Sequence, residues 1–231
     1  MKVNGAIPGV SRPQFVLLLV GFAFFLIGPL FERFSWVSLL GWLFLAMSWG
    51  TSVEIDGKKL RLYYLFGKKA VEVPIEEVWE VKAMNRLTLS SLAREFPDFF
   101  LLVLSVVCFS LFVVLTHPSR DYSGYTALFL VSASYLLLLS IPFGWDEIGM
   151  LAFAIPLILS LLLWLIVPGA VDPIMVFIGE IAVFFTYASY YSRDYVVLKT
   201  VGEKYLITLN SKVPVDVFLR TLGGRVDVQT P

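Results

Sequence analysis

The sequence predicts a polytopic α-helical membrane protein with about six transmembrane helices and a small β-rich domain on the cytoplasmic side. Three observations support this prediction. The 231 residues are 58% hydrophobic, well above the roughly 45–50% apolar content of soluble domains. Their mean hydropathy is +0.81. Long uncharged runs alternate with polar segments, and most Lys and Arg residues gather in alternate polar segments.

Five uncharged stretches, and a sixth that is interrupted by Glu180, are each close to the roughly 20 apolar residues that a helix needs to cross the hydrocarbon core. Helices are expected there because lipid cannot satisfy exposed backbone polar groups. We therefore predict a transmembrane hairpin within 13–50 and a four-helix transmembrane region within 98–192. The predicted spans lie between Arg12 and Glu32, Arg33 and Glu54, Asp98 and Arg120, Asp121 and Asp146, Glu147 and Asp172, and Asp172 and Arg193.

The orientation follows from the distribution of Lys and Arg, since cytoplasmic loops carry the positive excess. Six spans place the N-terminal segment 1–12, the segment 51–97 and the tail 193–231 on one side, with 16 of the 18 Lys and Arg residues. Only Arg33 and Arg120 lie on the other side. The sequence thus predicts a multi-pass protein of the cell membrane with both termini cytoplasmic.

The segment 51–97 has the pattern of short strands. Apolar and polar residues alternate on both sides of Asp56-Gly57, which is typical of a β-hairpin. A second turn at Gly67 and further apolar positions beyond it indicate three or four strands in all. Residues 89–96 have apolar positions at helical spacing, which predicts an interfacial helix before the third span.

The tail 193–231 repeats this pattern. Two strands are predicted at 195–199 and 205–209, and a short helix between Pro214 and Gly223. Neither the tail nor the 51–97 segment can bury a stable core alone. We therefore expect them to pack together into one cytoplasmic domain that is split by the four-helix transmembrane region.

This arrangement resembles a known family. Two apolar helices, a meander of short strands containing VPIEEV at 73–78, and a closing apolar helix are similar to the prokaryotic pleckstrin-homology-like (bPH) domains of YdbS/YdbT-type membrane proteins. The resemblance covers roughly 51–84 and 193–223. It implies a PH-like, β-barrel-like sheet capped by a C-terminal helix, in a family of binding or assembly modules rather than enzymes. It assigns no ligand-binding residue.

Glu180 lies near the middle of the predicted sixth span, where an ionised side chain is costly. It could be a proton or cation site in a transport path. Alternatively, it could be a hydrogen-bonded carboxyl group that fixes helix packing. Small residues beside it form a face on which another helix can pack closely: Gly179, Ala182, Thr186 and Ser189.

Basic residues of the 51–97 segment are candidates for contact with anionic lipid headgroups, at about 1 kcal/mol for each residue near the surface. The same residues also fit ordinary positive-inside topology. They are Lys58, Lys59, Arg61, Lys68 and Lys69.

No catalytic, nucleotide-binding, cofactor or metal-ligand motif occurs, and Cys108 and His117 are the only residues of their types. A formal net charge of zero speaks against nucleic-acid binding. The leading hypothesis is a non-enzymatic integral membrane protein whose cytoplasmic PH-like domain binds a protein partner or lipid headgroups. Such a scaffold supports membrane-complex assembly. The alternative is a small transporter or ion- or proton-conducting protein that uses Glu180. The sequence defines no oligomeric state.

Overall fold

The structure, a computed structural model, separates into two compact units. The β unit comprises Met1–Gly28, Trp36–Leu87 and Ser192–Pro231, and the helical unit comprises Pro29–Ser35 and Thr88–Tyr191. Within the chain the structure describes residues 2–3, 5–27, 35–56, 58–84, 86–119, 122–141, 145–186, 194–209 and 217–218.

The described strands of the β unit form two four-stranded antiparallel sheets. The first sheet has the order β1 (Lys2–Val3), β3 (Ser52–Asp56), β4 (Lys59–Tyr64) and β5 (Lys69–Pro74). The second has the order β2 (Ala6–Pro8), β8 (Lys204–Leu209), β7 (Asp194–Thr200) and β6 (Val78–Met84). A 3-10 turn, Ile75–Glu77, connects β5 to β6.

The two sheets share one hydrophobic core. Alternate residues of β4 are buried, among them Leu60 and Leu62, while Arg61 between them is partly exposed. Val196 and Ile207 contribute from the second sheet. This alternation follows from the two-residue period of a strand and explains why the apolar pattern of 51–64 predicts a hairpin.

The N-terminal segment belongs to both sheets, although no strand is predicted there from the sequence. Val3 of β1 pairs with β3, and Pro8 of β2 pairs with β8. Gly5, at φ 95°, lies between the two strands, in a backbone conformation that glycine adopts without steric cost. The buried Tyr64 hydroxyl donates a hydrogen bond to the carbonyl oxygen of Gly9 at 3.1 Å. Strands of two and three residues are too short to show a hydrophobic period.

The second sheet joins the 51–97 segment to the tail, because β6 pairs with β7 in an antiparallel register. The predicted helix between Pro214 and Gly223 lies outside the described residues, except for Val217 and Phe218. Both are helical, and Phe218 is buried in the shared core.

Two apolar helices, α1 (Arg12–Ile27) and α2 (Ser35–Met47), are inserted between β2 and β3. They approach closely at two glycines: a Cβ on Gly41 would lie 3.0 Å from the carbonyl oxygen of Gly21 and 2.7 Å from the Phe25 ring. The Phe25 and Trp42 rings meet edge to face at 5.5 Å. Small residues at a helix crossing permit this backbone approach.

The helical unit contains five described α-helices: α3 (Leu89–Glu95), α4 (Pro97–Thr116), α5 (Ser123–Ser140), α6 (Trp145–Ile166) and α7 (Pro173–Thr186). A capping box between Thr88 and Ser91 begins α3. Helix α5 packs against α4, α6 and α7 and is the most buried of them. Its Thr126 hydroxyl donates to the carbonyl oxygen of Ala170 at 2.7 Å.

The prediction of six transmembrane helices is wrong. Among the described residues the chain has seven α-helices, and two of them, Pro97–Thr116 and Ser123–Ser140, are long and apolar enough to cross a membrane. The apolar helices Arg12–Ile27 and Pro173–Phe185 and the Met150–Ile166 part of α6 are shorter. At 1.5 Å per residue, the 16 residues of α1 extend about 24 Å, less than the hydrocarbon core of about 30 Å.

Counting uncharged residues overestimates helix length because non-helical residues are also uncharged. The predicted fifth span extends to Asp172, whereas α6 ends at Ile166 and a 3-10 turn, Pro168–Ala170, follows it. The proline that opens this turn, Pro168, cannot continue the hydrogen-bond ladder of the helix.

Candidate functional site

Two of the predicted headgroup contacts form ion pairs across the first sheet. Lys59 Nζ lies 2.7 Å from Glu72 Oε2, and Arg61 Nε lies 3.0 Å from Glu72 Oε1. Arg61 also contacts Asp56 at 3.1 Å. Two hydrogen bonds lower the pKa of Glu72 below its usual range, and the bond from Lys59 has a larger effect than the bond from Arg61. The carboxylates of Glu72 and Asp56 on neighbouring strands therefore offset the positive charges of Lys59 and Arg61.

The remaining basic candidates differ in their surroundings. Lys58 Nζ forms a solvent-exposed pair with Glu76 Oε1 at 2.8 Å. The side chain of Lys69 lies outside the described part of the chain, although its backbone is in β5. Lys68 is exposed and has no ion pair with any described residue. Lys68 therefore differs from Lys58, Lys59 and Arg61, each of which has a carboxylate partner.

The turn that carries Lys68 has an unusual backbone. Leu65, Phe66 and Gly67 have φ values of 54°, 57° and 82°. A left-handed conformation costs about 1–2 kcal/mol at a residue other than glycine, and bulky side chains rarely adopt it. The Gly67 amide donates to the carbonyl oxygen of Tyr64, and the Lys68 amide donates to that of Leu65. This backbone presents Phe66 to the outside, with 63% of the residue exposed.

The same turn is attached to the end of α2. The Leu65 amide donates to the carbonyl oxygen of Met47, the last residue of α2, at 3.1 Å. The Thr51 amide and hydroxyl both donate to the Tyr63 carbonyl oxygen, at 2.9 and 3.1 Å. Phe66 is thereby held next to the end of an apolar helix.

A second exposed aromatic side chain, Trp79, lies on β6 at the edge of the second sheet. The β6–β7 register shifts between Val78 and Glu80, so that Trp79 occupies a bulge and is 60% exposed. Simple alternation from the buried Val81 would place the indole in the core. A bulge re-aims a side chain in this way.

A largely buried ion pair supports this indole. Lys199 Nζ lies 2.8 and 3.0 Å from the two carboxylate oxygens of Glu80, and the two side chains are only 17% and 16% exposed. The same ammonium lies 5.7 Å from the centre of the Trp79 ring, within the range of a cation–π interaction. The indole is therefore positioned by charged groups and remains accessible.

Glu180, which the sequence places in the predicted sixth span, is on α7 of the helical unit. Both of its carboxylate oxygens are buried and have no hydrogen-bond partner among the described residues. The Ser110 hydroxyl of α4 and the Ser132 hydroxyl of α5 donate to carbonyl oxygens of their own helices. The Ser134 hydroxyl on α5 is likewise buried without a described partner.

The predicted small-residue face is described in part. A Cβ on Gly179 would lie 3.4 Å from Leu130 of α5, so this glycine is at the α5–α7 contact. Ala182 is partly buried. The Thr186 side chain and Ser189 lie outside what the structure describes.

No group of three or more His, Cys, Asp or Glu residues that could hold a metal ion is found within the described stretches. Comparisons with protein-family models, curated proteins and solved structures find no match. The chemistry of this chain must therefore be inferred from its own residues.

Proposed function

We propose that this chain is a non-enzymatic membrane protein whose PH-like β unit lies at the cytoplasmic surface of the cell membrane and binds a protein partner, supporting membrane-complex assembly. The observation that carries the proposal is Trp79, an exposed indole on a strand edge, supported by Lys199 and Glu80. Tryptophan is enriched among the residues that dominate protein–protein binding energy.

Membrane anchoring is supported by α4 and α5, which have the length and composition of spanning helices. The pairing of β6 with β7 also restricts how often the chain can cross the membrane between these two strands. Strands of one sheet lie on the same side of a bilayer, so the chain crosses an even number of times between β6 and β7. The two candidate spans in that interval satisfy this condition.

The PH-like assignment is supported by the two antiparallel sheets around one core and by the burial of helical Phe218 in that core. A cytoplasmic location is favoured by the Lys and Arg content of the β-unit segments. A protein partner is favoured over headgroups because Lys58, Lys59 and Arg61 already face carboxylates.

Photocrosslinking in native membranes tests the proposal. Benzoylphenylalanine at position 79 of the full chain should give a discrete protein adduct, and the same probe at Val201, 88% exposed in the β7–β8 turn, should not. Trp79→Ala should weaken the complex by about 30-fold, the effect of a 2 kcal/mol hot spot, and Val201→Ala should leave it unchanged. Adducts to lipid alone, or a complex that survives Trp79→Ala, would contradict the proposal.

A second candidate function rests on Glu180, whose buried and unpartnered oxygens favour a proton or cation site. Sealed proteoliposomes should then show proton or cation flux with the wild type and lose it with Glu180→Gln, at equal folded yield. Equal flux in both, or none in either, would rule out Glu180 as a transport group.

A further inference from the structure

We propose that the turn 65–68 is a bilayer contact: Phe66 inserts into the headgroup region of the membrane that anchors the chain, and Lys68 binds anionic headgroups beside it. This inference rests on the proposed membrane anchoring and names a lipid contact of the same β unit. It assigns the contact to this turn and not to the ion-paired residues Lys58, Lys59 and Arg61.

The position of the turn favours a bilayer contact. The hydrogen bond from the Leu65 amide to the Met47 carbonyl oxygen fixes the turn to the end of α2. Phe66 is the next residue, and because consecutive Cα atoms are about 3.8 Å apart, it also lies close to the end of α2. Helix α2 exposes Leu39 and Leu43, which lie on an apolar face with no charged residue. That face fits contact with lipid, and with α2 in the bilayer the turn lies at the depth where this helix ends.

The strained backbone of the turn favours the same contact. A reverse turn with three successive positive φ values is ordinarily made from glycine, asparagine or aspartate. This chain has Leu65 and Phe66 at two of those positions. The strained backbone directs Phe66 away from the core, and nothing within the described β unit covers it. Local strain combined with an outward apolar side chain is typical of a functional contact rather than a stability device.

The side chains of Phe66 and Lys68 have the chemistry of a bilayer contact. An aromatic ring with a neighbouring exposed ammonium fits a membrane interface, where the ring enters the apolar boundary and the cation meets lipid phosphates. Lys68 is exposed and has no described ion-pair partner, so its charge is available to an anionic surface. The paired cations of β4 would first have to leave their carboxylates.

Depth-dependent fluorescence quenching tests this contact in full-length protein reconstituted into vesicles containing anionic lipid. The native Cys108, exposed on α4, is removed by Cys108→Ser, and an environment-sensitive dye is attached to Phe66→Cys. The control dye is on Val201→Cys, which is 88% exposed at the tip of the β7–β8 turn. A third sample carries the dye on native Cys108 itself.

We expect the dye at position 66 to emit at shorter wavelength and to be quenched by shallow nitroxide lipids rather than by aqueous iodide, at a depth of about 5–10 Å. The dye at 201 should respond only to iodide, and the dye on Cys108 should be quenched by lipid. Adding Lys68→Glu should reduce the blue shift at position 66 in anionic vesicles but not in neutral ones.

The outcomes separate the two ideas. Iodide quenching at position 66 together with lipid quenching at Cys108 would overturn the bilayer contact and leave the membrane anchor intact. Iodide quenching at both positions would overturn both. A shift at position 66 that Lys68→Glu leaves unchanged in anionic vesicles would overturn the role of Lys68 in headgroup binding.

Discussion

Replacing Gly50 by alanine should strongly destabilise the β unit. Gly50 is buried just after α2, and a Cβ there would lie 1.9 Å from the carbonyl oxygen of Pro8 and 2.7 Å from its ring. Pro8 cannot retreat freely because β2 is paired with β8 at Ile207, and the next amide, that of Gly9, donates to Leu206. One of two backbone segments would have to move.

The size of this effect follows from the contact. Overpacking costs about 1–3 kcal/mol, and a clash with a main-chain carbonyl group belongs at the upper end. A loss of about 3 kcal/mol lowers the Tm by about 6–12 °C in a domain of this order of size. Thermal unfolding of the purified protein in detergent, followed by near-UV circular dichroism, measures it.

Gly202→Ala is the matched control, because a Cβ there meets nothing within 4 Å and the change should stay within about 0.5 kcal/mol. Equal Tm values for the Gly50→Ala and Gly202→Ala variants would refute the reasoning, and with it the position of β2 against the segment that follows α2.

Two further predictions concern charged and titrating groups of the β unit. Lys199→Met should lower the free energy of unfolding by about 1–3 kcal/mol, because it leaves the largely buried Glu80 without its cation. Lys58→Met is the control and should not change the Tm, since the Lys58–Glu76 ion pair is solvent-exposed. Equal changes in Tm for the two variants would contradict the burial of the Lys199–Glu80 pair. The second prediction concerns Tyr205. Burial raises the pKa of its phenol, and the hydrogen bond that the phenol donates to Glu203 raises it further. The neutral phenol therefore stabilises the folded state below its unfolded pKa of about 10, and this contribution is lost as the pH rises further. The free energy of unfolding should fall more steeply above about pH 10 in the wild type than in Tyr205→Phe, and parallel curves from pH 8 to 12 would contradict this.

Some elements of the β unit can be predicted from local sequence, because a two-residue period and a turn are short-range signals. The hairpin of β3 and β4 around Asp56 is present, as is that of β7 and β8. The N-terminal strands could not be predicted in this way. Two or three residues contain no period, and their partners are distant in the chain. The number of membrane-spanning helices is overestimated from the sequence, because absence of charge does not distinguish helix from turn.

The candidate surfaces depended on features that alternation does not reveal. The bulge that exposes Trp79 reverses the face predicted from its neighbours. The pairing of Lys59 and Arg61 with Glu72 depends on the register between β4 and β5. Positive φ at Leu65 and Phe66 contradicts local preference. Tertiary structure determines all three, so a single sequence could suggest the basic segment without identifying which residues are accessible.

The most direct test of the account is a labelling experiment on the β unit in sealed native vesicles of known orientation. Single cysteines at Lys58→Cys and Val201→Cys, in a Cys108→Ser background, are treated with a membrane-impermeant maleimide. A chain with only the native Cys108 is treated in parallel. The account predicts that positions 58 and 201 react from the cytoplasmic side only and that Cys108 is protected until detergent is added. Labelling of 58 and 201 from opposite sides, or of Cys108 in intact vesicles at the rate seen in detergent, would contradict it.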